Sequence, residues 1–110
     1  MTDKPLFFAT LPYGPFQMSV KAIVHAKAFG LKLTGRLAIN LLINPPDKRA
    51  RDLDNLLKPI LDALMYAGLY EDDSQFDAIF IRRGQVIKGG SMLVQIIQDN
   101  HAPGSVSELF

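Results

Sequence analysis

The chain has 110 residues, 48% apolar and 21% charged, values that suit one globular domain with its own core and exclude wholesale disorder. Without cysteine it forms no disulfide and no thiolate metal site, which suits a cytoplasmic protein. No apolar run reaches membrane-spanning length, Asp3 and Lys4 interrupt any signal-peptide core, and a net charge of +1 leaves polyanion binding to local patches.

Taken in order, Leu6 to Ala9 reads as a short strand ended by Pro12, Gly14 and Pro15. Phe16, Val20, Ile23 and Val24 fit a helix, although Met18, Val20, Ala22 and Val24 also alternate; Gly30 ends the segment. Leu37, Ile39, Leu41 and Ile43 alternate as a strand that Asn44-Pro45-Pro46 stops. A charged loop, Asp47 to Arg51, leads into a helix over about residues 53–67, its apolar face made by Leu53, Leu56, Leu57, Ile60, Leu61 and Leu64. Gly68 suits the left-handed position beyond its end. Pro59 lacks the N–H that would reach Asn55 and predicts a kink, or an irregular turn through 53–56. Phe76 to Arg83 reads as a strand, Lys88-Gly89-Gly90 as a turn and Met92 to Gln98 as a buried strand, with a hairpin the simplest link between the two. The tail over 99–110 is expected to be peripheral. These elements predict a single two-layer α/β (α+β) domain over 1–110. A small mixed sheet and two main helices follow in the order β-α-β-α-β-β.

Chemistry concentrates at the two ends of the second helix. Asp52 and Asp54 stand at its start; Glu71, Asp72 and Asp73 follow its end. On a helix, positions two apart point about 200° apart, so Asp52 and Asp54 converge only if Asp52 precedes the helix as its N-cap. The helix is about 22 Å long, so the acidic groups meet only if the chain doubles back after Gly68. Lys58, four residues after Asp54, shares its polar face. Asp62 is expected to be solvated, and each acid alone also fits an ordinary cap or turn. Several Asp residues without Cys or His suit magnesium or manganese better than zinc. Such ions promote phosphodiester hydrolysis, and a lysine can steady the charge that develops. Lys48, Arg49, Arg51, Arg82 and Arg83 are candidate phosphate contacts beside these acids. Tyr13, Tyr66 and Tyr70 suit core or rim packing more than base stacking, and the isolated His25 and His101 are assigned no role.

The run Pro45-Pro46-Asp47-Lys48-Arg49-Ala50-Arg51-Asp52-Leu53-Asp54-Asn55-Leu56-Leu57-Lys58, followed by Asp62-Ala63-Leu64, Ala67-Gly68 and Asp72-Asp73-Ser74-Gln75, resembles the RusA family of Holliday junction resolvases. The resemblance covers about residues 37–98. It implies a small homodimeric, phage- or prophage-encoded endonuclease that nicks four-way DNA junctions symmetrically with magnesium, needing neither a membrane nor an organic cofactor. By motif, Asp52, Asp54 and Asp73 correspond to metal-binding carboxylates and Lys58 to the active-site lysine, with Asp72 a further candidate ligand. Relatives carry a longer polar loop after the first strand, where this chain passes almost directly from Leu11 to Gln17. Two other readings compete: a DNA module that binds junctions with little cleavage, and a less selective nuclease for branched DNA.

Overall fold

A computed structural model describes residues 5–13, 17–49 and 52–99. Strand β1 (Phe7–Leu11) is followed by helix α1 (Gln17–Ala28), β2 (Leu37–Asn44), α2 (Asp54–Tyr66), one 3-10 turn at Asp73–Gln75, β3 (Phe76–Arg83) and β4 (Ser91–Gln98). The expected element order, two helices and mixed sheet are all present. The expected turn at Gly14 and Pro15, the shortened N-terminal loop around it, Phe16, His101 and the tail beyond Asp99 lie outside the described residues. No described helix is long and apolar enough to cross a membrane.

The expected hairpin is absent, because the four strands lie in the order β1-β4-β2-β3. β4 runs antiparallel to both β1 and β2, whereas β3 runs parallel to β2 at the edge. Composition accounts for the exchange. Met92-Leu93-Val94 and Ile96-Ile97 suit a strand with neighbours on both sides, while Asp77, Arg82 and Arg83 suit an edge. The connection after β3 passes over the end of β2, where Gly84 N–H donates to the Ile43 carbonyl at 2.7 Å and Ile87 N–H to that of Pro45 at 2.9 Å.

Register gives the sheet two unlike faces. Phe7, Ile96, Ile39 and Ile79 form one row, Ala9, Val94, Leu41 and Ile81 the next, both toward the helices. Val20 and Val24 of α1 and Ile60, Leu61, Ala63 and Leu64 of α2 pack into this core. Alternation sends Phe8, Asn40, Phe80 and Gln95 to the other face, with Ala38, Ala78 and Ile97 beside them. No described helix covers that face; Phe8 and Phe80 remain 49% and 39% exposed.

α2 departs from expectation at its start. Leu53, not Asp52, holds the N-cap position, with helical φ −64° and ψ −34° and no side-chain cap hydrogen bond. The Asp52 carboxylate is therefore not consumed in capping. The helix continues through Pro59 to Tyr66. Leu56 and Leu57 N–H both donate to the Leu53 carbonyl, at 3.0 and 3.2 Å, so the first turn is closed by the backbone alone.

Asn44, the buried polar residue of the described core, ties the upper end of the sheet. Its side-chain oxygen accepts from Gln85 N–H at 3.1 Å and its amide donates to Ser91 Oγ at 3.2 Å. A Cβ at Gly84 would overlap the Asn44 side-chain oxygen. Gly84→Ala is expected to destabilise the fold by about 1–3 kcal/mol through this overpacking, measured by urea unfolding against the parent.

Candidate active site

The chain does double back after α2, and backbone geometry starts the reversal. Gly68 takes φ +86°, a left-handed conformation costly for any residue with a Cβ. Leu69 and Tyr70 then bury themselves. Leu33 N–H donates to the Leu69 carbonyl at 2.8 Å. Tyr70 O–H donates to the Leu61 carbonyl at 2.6 Å, and its ring meets Phe76 edge-on with centroids 4.9 Å apart. Burial raises the phenol pKa above its ordinary value and keeps it a neutral donor. Tyr70 is thus a core anchor, as expected, and the segment behind it lies along α2.

Two side chains fix that segment. Gln75 Oε1 accepts from Glu71 and Asp72 N–H at 3.0 and 3.1 Å. Its amide nitrogen donates to the Leu33 and Gly35 carbonyls at 3.2 and 3.1 Å. Asp72 caps the 3-10 turn by accepting from Ser74 N–H at 3.0 Å, the bond that chiefly holds its pKa below the usual carboxylate range. Arg36 donates to the Ser74 carbonyl and, through Nε and Nη2, to Asp77. Arg36 and the bonds of Gln75 to Leu33 and Gly35 left no local signal, because their partners lie 38 to 42 residues away, whereas the Asp72-x-x-Gln75 spacing was the signal that could have found the capping box.

These clamps present Asp73 to α2. Asp54, Lys58 and Asp62, spaced by four, form one stripe along the helix, rising about 6 Å per step. Lys58 Nζ donates to Asp62 Oδ1 at 2.9 Å and to Asp73 Oδ2 at 3.1 Å. Those two partners, Asp62 first, raise the lysine pKa. Asp62, expected to be solvated, is instead an ion-pair partner with its side chain 29% exposed. The Lys58–Asp62 spacing of four was the signal that could have found it.

Asp52 and Asp54 are exposed at the other end of this stripe. Among the described residues no three Asp, Glu or His side chains stand close enough to share one ion, so Asp52 and Asp54 do not form such a group with Asp73. The donor chemistry nevertheless fits a hard divalent cation: the ligating atoms on offer are carboxylate oxygens, and Asp73 already attracts a cation, the ammonium of Lys58.

A groove beside Asp52 is lined by Lys48, Arg49 and Arg83 together with Pro45, Asp47 and Val86. Arg49 is braced in it by Asp47, whose carboxylate accepts from its backbone N–H and guanidinium at 3.0–3.2 Å. Arg83 shares register with Ile43 and faces the helix side, whereas Arg82 pairs with Leu42 and faces the opposite side. The two arginines therefore do not form one patch. Arg51 lies outside the described residues.

Acid should weaken the clamp at Asp77. The Arg36 hydrogen bond, opposed by desolvation and aided by charge, holds the Asp77 pKa below the usual range. A depressed folded-state pKa contributes stability above the unfolded value of about 3.9 and loses it as pH falls through the folded value. Asp77→Asn should therefore narrow the stability gap between pH 6 and pH 3, read by urea unfolding at both.

A family model for Endodeoxyribonuclease RusA matches residues 5–96. The crossover junction endodeoxyribonuclease RusA of Enterobacteria phage HK97 is 39% identical over 83 residues, 76% of this chain and 69% of that protein. Its namesakes in Enterobacteria phage 82 and Escherichia coli K12 are each 32% identical over 83 residues, again 76% of this chain and 69% of theirs. A match over this span means that the chain belongs to the RusA family of endodeoxyribonucleases.

Proposed function

We propose that this protein resolves four-way DNA junctions as a homodimer, hydrolysing one phosphodiester at each of two symmetry-related sites with magnesium, for which manganese could substitute. The observation that carries the reading is the bridge from Lys58 to Asp73, which brings a carboxylate of the returning loop onto the face of α2 that also carries Asp54. Asp52, Asp54 and Asp73 would hold the metal. When bound, magnesium supplies a polarised water and neutralises charge on the phosphoryl oxygens. Lys58, with its side chain 69% exposed, can donate to a non-bridging phosphate oxygen as negative charge develops there. The Lys48, Arg49 and Arg83 groove leads the DNA backbone to Asp52, and Arg51, by sequence, adjoins it.

The dimer follows from the substrate. A junction cut symmetrically in two strands requires two sites related by a two-fold axis. The sheet face that no described helix covers suits a second copy: Phe8 supplies apolar area, and Asn40 and Gln95, paired across strands at its centre, carry amides able to hydrogen-bond with themselves.

A second reading, junction binding with little cleavage, draws on the separation of Asp52 and Asp54 from Asp73. One assay separates the two. With a synthetic four-way junction and magnesium, the parent should give paired nicks, and Asp54→Asn should cut at least about 100-fold more slowly while still binding. Salt-sensitive binding without nicking by the parent would favour the second reading. Equal cutting of linear duplex would instead indicate a less selective nuclease. Phe8→Asp should convert a dimer to monomer by sedimentation equilibrium. On cruciform plasmid it should leave nicked circles where the parent gives linear product.

A further inference from the structure

Lys58 stands between two carboxylates of different standing. Asp73 corresponds to a metal ligand; Asp62 sits one helical turn beyond Lys58 and belongs to no ligand motif. The ammonium is 2.9 Å from Asp62 and 3.1 Å from Asp73, and the two acid side chains are comparably exposed, 29% and 27%. Both pairs are accessible to solvent, so neither carries the large desolvation penalty of a buried bridge, and the lysine can shift between them cheaply. A divalent ion at Asp73 competes with that ammonium for the same oxygen. A lysine with no other partner would have to be driven into water, whereas here an acid on its own helix keeps one bond.

We propose that Lys58 is a displaceable counter-ion for Asp73 and that Asp62 is the positioning residue that receives it. Before metal arrives, the ammonium offsets the charge of Asp73. When a divalent ion takes the Asp73 oxygens, Lys58 withdraws onto Asp62. It stays beside the reacting phosphate and does not swing into solvent. The inference rests on the metal-dependent reading of the site, but it concerns Asp62, which that reading leaves without a role.

The test is a double-mutant cycle read as the affinity for manganese alone, by calorimetry without DNA, on folded full-length protein. Asp73→Asn first establishes the site: it should abolish the tight manganese-binding event of the parent. Lys58→Met should strengthen manganese binding by about two- to fivefold, the range expected for removing one exposed ionic competitor. Asp62→Asn should weaken it by a similar factor, because Lys58 then has only Asp73 to hold. In the Lys58→Met background, Asp62→Asn should have little effect. An equal loss in both backgrounds would mean that Asp62 acts only through its field, and the proposal fails while the metal site stands. If the parent binds no manganese, or Asp73→Asn leaves binding unchanged, the metal site and the proposal fail together. Lysine-selective NMR gives a second readout: the Lys58 ammonium signal should move on manganese-free magnesium titration of the parent and stay fixed in Asp73→Asn.

Discussion

The reversal at the end of α2 is the constraint on which the rest of the site depends. Gly68 turns the backbone, Leu69 and Tyr70 enter the core, and the tyrosine hydroxyl fastens the returning chain to the helix it has just left. Without that return, Asp73 would lie beyond the far end of a helix about 20 Å long. With it, a loop carboxylate meets Lys58 in the second turn. The core interaction thus sets the distance that the surface chemistry uses.

Rigidity and adjustability are divided between two groups of residues. Gln75 and Arg36 bond mainly to backbone carbonyls and amides, and they hold the segment from Glu71 to Asp77 in one path. Lys58, Asp62 and Asp73 bond through exposed, charged side-chain ends, whose pairings rearrange at little cost. A precise loop carrying a labile ionic pairing suits the cation uptake proposed for this site. The basic groove, with Arg49 braced by Asp47, follows the same division.

Much of this was legible from the chain. The apolar periodicity of Leu56, Ile60 and Leu64 identified α2, and the alternation of Leu37, Ile39, Leu41 and Ile43 identified β2, because local pattern and burial agree there. Strand order was not. Proximity in sequence favoured a β3–β4 hairpin, yet the most apolar strand was drawn inside the sheet and the charged one left at its rim. At the start of α2, Asp52 looked like a cap because its type suits one; the actual cap position fell one residue later, on Leu53, and the aspartate was spared. Long-range hydrogen bonds such as Arg36 to Ser74 leave no local signature, so no reading of spacing could find them.

β3 has a consequence outside catalysis. Among the described strands it is the rim of the sheet, and a rim offers one side of its backbone to any passing strand, the usual route by which sheet proteins adhere to one another. Asp77, Arg82 and Arg83 stand along that rim, and a copy stacking in parallel and in register, as in a cross-β fibril, would have to bring like charge against like. Arg82 and Arg83 therefore serve as a guard against fibril-type growth, and replacing them would remove protection from precipitation.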